Sequence, residues 1–366
     1  MTPSTPTAAV VIGAGISGLT TGVVLAEADV KVRIISASRP DQTDSAKAGA
    51  SWGPYMVSHD RVTAWSAETY KELEKIAGHR GSGIRLLPGV EAFTEDGYRA
   101  WSSRTAVPPA WATQIPSFEE RRRGGDERGL PRGYFYGWHY TIPIVNMPAY
   151  LEYLTHRFKA AGGDLITGSA VESFDGAREL AGFSDREAVV VNCSGLGSYE
   201  LVPDSTMAPT MGQLVIVRNP GIGEFFQDNP VPGELESTHI FPQGDIVVIG
   251  GCDRLFQPGD PWIAAEPDPL IRKRILERAE AIRPELRGVE VLAERVGLRP
   301  VRTDQVRVEW DRRRSLRLIH NYGHGGAGVT LSWGCALKVG RLFGVLSPSD
   351  ESEAVGMPTL GGVLAG

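Results

Sequence analysis

The stretch Ala9–Leu25, AVVIGAGISGLTTGVVL, constrains this chain more than any other. Ala9 to Ile12 suit a buried strand, and they run directly into Gly13-Ala14-Gly15-Ile16-Ser17-Gly18. An apolar, helix-like stretch follows from Leu19 to Leu25. A Gly-x-Gly-x-x-Gly turn between a strand and a helix is a dinucleotide-binding arrangement. Gly13 permits the tight turn, Gly15 lets backbone approach a pyrophosphate, and Gly18 lets the helix pack against its strand. The free N–H groups and positive dipole end of that helix attract phosphate. The motif alone does not choose among NAD, NADP and FAD.

The next segment narrows the choice. Val30–Ile35 reads as the second parallel strand of a βαβ unit, and an NAD site places an acidic residue at its end for the ribose hydroxyls. Here the strand runs into Ser36-Ala37-Ser38, which weakens NAD, and Arg39 is too ambiguous to establish NADP. A second glycine-dense loop, His320 to Thr330, precedes an apolar helix predicted over 331–346. Two loops presenting backbone donors at helix starts, at opposite ends of one chain, suit a large cofactor with a second polar end.

At 366 residues the chain is long enough for two domains, and 42% hydrophobic residues supply a sizeable core. The formal charge of −6 argues against a general nucleic-acid binder. The basic runs Arg121–Arg123 and Arg312–Arg314 read as solvated loops. Cys193, Cys252 and Cys335 form no Cys-x-x-Cys pair, so a reducing compartment fits better than a disulfide framework. His320 and His324 are four apart, but the glycines between and after them argue against a regular helix, and no metal site is expected. The start MTPSTPTAA lacks the features of a secretory signal, no run is long enough to cross a bilayer, and the C-terminal Leu-Ala-Gly is not a peroxisomal address. A soluble cytoplasmic protein is the expectation.

Between the two loops, 59–79 carries helix-spaced apolar positions with Trp65, Tyr70, Leu73 and Ile76 as core residues. Residues 81–140 are turn-rich and mainly β, with 124–133 a surface loop. A helix is predicted over 142–158, and short strands over 164–166 and 170–174. Further strands are predicted at 188–192, 210–217, 245–250 and 306–310, and an amphipathic helix at 269–282. The segment 227–236, rich in Pro, Gly and acidic residues, suits a lid or an inert connection equally well. Read from the residues alone, Arg299 is the charged side chain best suited to hold a carboxylate, yet a structural arginine is the plainer reading.

The motifs resemble those of the flavin-dependent D-amino-acid oxidases over most of the chain. The carriers are VVIGAGISGLTT, AGASWGPY at Ala48–Tyr55, AWSAETYKEL at Ala64–Leu73 and YGWHYT at Tyr136–Thr141, then VVNCSG at Val190–Gly195, GLRPVR at Gly297–Arg302 and HNYGHGGAGVTLSWGCAL at His320–Leu337. The resemblance implies an α/β (α+β overall) fold: a Rossmann-like FAD-binding domain plus a substrate domain built on a mainly antiparallel β-sheet. Residues 1–80, 141–205 and 291–346 would form the first, 81–140 and 206–290 the second, and 347–366 a tail.

It also implies non-covalent FAD, with Gly13, Ala14, Gly15, Ile16, Ser17 and Gly18 at the pyrophosphate and Ser36 and Ala37 near the adenosine. Asp44 and Ala48, Gly49, Ala50 and Ser51 would approach the flavin, with Val171 and Ser194 along the cofactor. Gly325, Gly326, Ala327, Gly328, Val329 and Thr330 would contact the isoalloxazine. Arg299 would take the substrate carboxylate, a role the residues alone did not assign, and Gly326 would face the amine. Tyr55 and Tyr322 would complete the substrate site.

The implied reaction is hydride transfer from a D-amino acid to flavin N5, giving a 2-oxo acid and ammonia, with dioxygen reduced to hydrogen peroxide. The partners implied are that small molecule and dioxygen, with no nucleic acid or membrane and a homodimer left open. Two departures stand out: Leu235 and His239 occupy positions where the family places tyrosines. The acidic lid residues Asp228, Glu234 and Glu236 favour neutral or basic D-amino acids over acidic ones. The alternatives are a glycine or sarcosine oxidase type of flavin amine oxidase and a non-catalytic flavin-binding protein.

Overall fold

Two sheets organise the chain, and the first grows from the opening strand. The computed structural model describes residues 6–103, 108–122, 130–183, 188–229, 234, 236–256, 261–263 and 266–347. Ala8–Ile12 is apolar on both faces and buried throughout, as a central parallel strand must be. It pairs in parallel with Lys31–Ser36 on one side and Ala188–Asn192 on the other. Asp164–Thr167 and Leu318–Tyr322 extend the sheet in parallel, and Arg307–Trp310 closes it as an antiparallel edge, six strands in all among the described residues. The crossover helix Ile16–Ala26 packs against Met147–Ala160 and Gly328–Phe343, and Val62–Ala77 packs on the latter. Trp65, Tyr70, Leu73 and Ile76 are buried there as predicted.

Among the described residues the second sheet has nine strands and is antiparallel except where Ile84–Phe93 runs parallel to Phe225–Asn229. From one edge the order is Arg254–Leu255, Thr210–Arg218, Ile246–Cys252, Glu236–Gln243, Phe225–Asn229, Ile84–Phe93, Tyr136–Val145 and Glu119–Arg122. Val291–Arg299 also pairs with Thr210–Arg218, so the strand leading to Arg299 lies in the second sheet, although it falls within the segment expected with the first domain. The outer face is covered by Pro269–Ile282, where Ile275 and Ala279 pack on Val215, Val217, Phe226 and Ile249. Asp268 caps this helix, its carboxylate accepting the Leu270 N–H at 2.7 Å.

Three segments differ from expectation, each for a local reason. The helix predicted over 142–158 is a strand as far as Val145, because Ile142 and Ile144 alternate inward opposite Leu87 and Arg85. Asn146 then caps a helix that starts at Met147, accepting the Ala149 N–H at 3.3 Å. In the predicted strand 170–174, Ser173 is instead the N-cap of Phe174–Leu180 and accepts from Gly176 N at 3.0 Å. Arg121 and Arg122 belong to an edge strand rather than a loop, while Arg313 and Arg314 pair with Asp311. Most of the predicted surface loop, 124–129, and half of the lid, 230–233 and 235, lie outside the described residues.

Candidate active site

Both sheets open onto one elongated cavity of about 1080 Å³, slightly above the range of roughly 300–1,000 Å³ for small-molecule pockets. At one end stands the first glycine loop. Gly13 has φ +104°, and a side chain there would meet the Cys193 carbonyl at 2.5 Å. At Gly18 an added Cβ would lie 1.9 Å from the Gly13 carbonyl, the close helix–strand approach that the third glycine serves. Gly15 is the N-cap of Ile16–Ala26, and the Ser45 hydroxyl accepts the Ile16 N–H at 3.0 Å. Gly13, Ala14, Gly15, Ile16 and Ser17 line the cavity, followed by Ser36, Ala37, Asp44, Ala48, Gly49, Ala50, Ser51, Val171 and Ser194. Asp44 also accepts the Leu298 N–H at 3.2 Å, tying this wall to the strand that ends at Arg299.

The second glycine loop supplies Gly325, Gly326, Gly328 and Val329 to the lining. Gly325 donates to the Pro300 carbonyl at 3.1 Å, and Val301 forms a β-bridge with His324, so the loop is pinned beside Arg299. Gly18, Ala327 and Thr330 are not part of the cavity wall. Ala327 is buried, and the Thr330 hydroxyl both accepts from Gly53 N at 3.0 Å and donates to Gly53 O at 2.9 Å. That hydroxyl therefore holds the Gly53 turn in place instead of facing a ligand.

At the far end Arg299 lies across Gly212, where a Cβ would come within 2.5 Å of Nη2. Arg299 Nη1 donates to Asp253 Oδ1 at 2.6 Å and to the Cys252 carbonyl at 3.3 Å. Asp253 Oδ2 in turn accepts the Tyr55 hydroxyl at 2.5 Å. Burial, with the adjacent Asp253 charge, pushes the Tyr55 phenol up, so it remains a protonated donor. Among the described residues no acceptor reaches Arg299 Nε or Nη2. One carboxylate thus orients the guanidinium and leaves a two-donor edge for another. Tyr55 packs on Gly326, where a Cβ would meet its ring at 2.4 Å.

His239 also lines this end, its ring stacked on Phe241 at 4.7 Å and seated over Gly250. Its Nε2 is buried without a hydrogen-bond partner. Burial, reinforced by the Arg299 and Arg278 charges, pulls its pKa down to about 3, so the imidazole is neutral. A buried unpaired nitrogen on a cavity wall is a place for a ligand atom. Tyr322 lines the cavity too, but its hydroxyl donates to Asp204 at 2.6 Å and accepts from Arg307 at 3.1 Å. The phenol expected at the substrate is therefore committed elsewhere. Leu235 lies outside the described residues. His320 bonds Asp311 at 3.2 Å and His324 bonds Asn321 at 3.0 Å, which accounts for both as core residues.

Sequence reasoning missed part of the wall. Sheet register aligns Trp138, Glu91, Gln227, His239 and Gly250 across five strands in one rung. Glu91 is 8% exposed and accepts hydrogen bonds from Tyr140, Asn229 and, at 2.9 Å, Gln227. Asp253 was missed as well. Nothing local marks either acid, because their importance comes from long-range pairing.

Residues 8–342 match a family model described as FAD dependent oxidoreductase. The chain is 38% identical over 340 residues to a D-amino-acid oxidase of Rubrobacter xylanophilus, covering 92% of this chain and 95% of that protein. A D-amino-acid oxidase of Streptomyces coelicolor is also 38% identical, with 91% and 95% covered. The D-aspartate oxidase of Homo sapiens is 32% identical, with 91% and 93% covered. Among solved structures, glycine oxidase from Geobacillus kaustophilus has a TM-score of 0.72 at 18% identity, covering 92% of this chain and 94% of that one. At that identity the likeness is one of fold.

Proposed function

The chain belongs to the family of FAD-dependent oxidoreductases that includes the D-amino-acid oxidases, and we propose that it is itself a D-amino-acid oxidase acting on neutral or basic substrates. The observation that carries this reading is the unpaired donor edge of Arg299, held by Asp253 and facing the same cavity as both glycine loops. The residues present fit non-covalent FAD. The first loop is a backbone cradle at a helix N-terminus, closed to side chains at Gly13 and Gly18, and the cavity runs from there to Arg299. FAD, when bound, supplies the hydride acceptor and passes the electrons on to dioxygen.

The protein's own contribution is placement. Arg299 Nε and Nη2 take the substrate carboxylate side-on, and the Asp253 pair prevents the guanidinium from rotating. Tyr55, packed on Gly326, closes the site beside the second glycine loop, where the Gly326 backbone takes the amine. His239 Nε2 offers its unused hydrogen-bonding position to the substrate. No general base is required of these residues once the amine is neutral, because the remaining proton leaves Cα with its electron pair. The overall change is oxidation of the D-amino acid to an imino acid, whose hydrolysis gives the 2-oxo acid and ammonia while dioxygen becomes hydrogen peroxide. Asp228 and Glu91 on the cavity wall disfavour a second substrate carboxylate. Three free, buried cysteines accord with a cytoplasmic enzyme, and no helix among the described residues is long and apolar enough to cross a membrane.

Anaerobic mixing of the holoenzyme with amino acids tests this reading. D-Alanine and D-methionine should bleach the flavin absorbance, L-alanine should not, and glycine should react far more slowly. Bleaching by glycine alone, or by no D-amino acid, would overturn the assignment.

A further inference from the structure

We infer that Glu91 is the specificity-determining residue at the side-chain end of the cavity and selects D-amino acids whose side chains end in a cation. The inference rests on the oxidase reading above and goes further by naming the substrate class. Three observations support it. First, Glu91 shares a rung with His239 and Gln227, and all three line the cavity that holds Arg299. Neighbouring strands lie ~4.8 Å apart, so Glu91 stands two spacings, roughly 10 Å, beyond His239 along the wall. In this inference a substrate held by its carboxylate at Arg299 runs its side chain along this rung, which lines the same cavity.

Second, the surroundings of Glu91 suit a cation. Trp101, Trp111 and Trp138 line the same part of the cavity, with Trp138 5.0 Å from Trp101 and 5.6 Å from Trp111 between ring centroids. Indole faces attract ammonium and guanidinium groups. Asp228 adds a second, half-buried acid, held by Tyr134 at 2.7 Å and Thr238 N at 2.6 Å. Among the described residues the cavity lining contains only two cationic side chains, Lys47 and Arg299. Lys47 is paired with Asp44 at the cofactor wall, and Arg299 with Asp253.

Third, among the described residues Glu91 carries no cation of its own. Its three partners there, Tyr140, Gln227 and Asn229, are neutral donors, so its carboxyl group faces the cavity with no positive counter-charge among the described residues. Burial holds its pKa above the usual carboxylate range, the three donors offsetting that only in part, and a cation beside it would favour the ionised form. A cationic side chain would supply the missing charge and form a charge-assisted hydrogen bond. A purely structural Glu91 would serve the sheet equally well with any substrate.

The test compares side chains that match except for terminal charge. The holoenzyme should oxidise D-lysine with kcat/KM about tenfold or more above that for D-norleucine, and Glu91→Gln should shrink that ratio towards one. A binding measurement independent of turnover uses 6-aminohexanoate and hexanoate, which share a carboxylate and differ in the terminal ammonium. The wild-type holoenzyme should bind the amino form more tightly by a similar factor. D-Norleucine oxidised as well as D-lysine, or hexanoate bound as tightly as 6-aminohexanoate, overturns the inference. Failure of every D-amino acid to reduce the flavin overturns the oxidase reading instead, and the two carboxylates then report on Glu91 alone.

Discussion

The two ends of the cavity are built on opposite principles. At the end proposed for the cofactor the cavity is lined by short contiguous glycine-rich segments, Gly13–Ser17 and, from the second loop, Gly325, Gly326, Gly328 and Val329, that lead into helices and offer chiefly backbone. At the end proposed for the substrate they are side chains, one from each of several strands, Arg299, His239, Gln227 and Glu91, with Asp253 holding Arg299 from behind. A site made of backbone needs particular glycines and tolerates no intrusion. A site made of side chains can change its selectivity by single substitutions while the sheet beneath it stays the same. The division suits an enzyme that keeps one cofactor and varies its substrate.

Two glycine substitutions separate the two ends experimentally. Each position is crowded, but by different neighbours. At Gly18 an added Cβ would sit 1.9 Å from a backbone oxygen, which cannot retreat without moving the strand–helix turn. Gly18→Ala is therefore expected to abolish formation of the flavoprotein, read as the flavin-to-protein absorbance ratio after purification. A normal ratio would show that the backbone cradle is not what holds the cofactor. At Gly212 the added Cβ would meet the end of the Arg299 side chain at 2.5–2.8 Å, and a side chain can move. Gly212→Ala should keep normal flavin content while kcat/KM for D-alanine falls on the order of tenfold, through loss of a charge-assisted contact. Loss of flavin in that variant would erase the distinction between the two ends.

The same contrast explains what the sequence discloses. The Gly13–Gly18 turn, the missing acid after Ile35 and the loop at Gly323–Gly328 are local patterns, and residues of both glycine segments line the cavity. Helix Pro269–Ile282 and strand Ala188–Asn192 were equally legible, since each is a contiguous run with clear boundaries. Ile142–Val145 was not, because its two-residue alternation is short and runs straight into a capped helix. The partnership of Arg299 with Asp253 spans 46 residues and depends on where two strands of the sheet end. Glu91 and Gln227 are 136 residues apart and meet only through a parallel pairing that local patterns do not specify. Tyr322 shows the converse. A motif brings its ring to the cavity, but the direction of its hydroxyl is decided by Asp204 and Arg307.

The central claim is that Arg299 orients the substrate and takes no part in holding the cofactor. Arg299→Ala measured for flavin content and for anaerobic reduction by D-alanine tests it most directly. The account predicts a normal flavin-to-protein ratio with reduction slowed roughly a hundredfold or more at limiting substrate, as expected for removing one partner of a buried charge contact. Unchanged reduction kinetics would contradict the account.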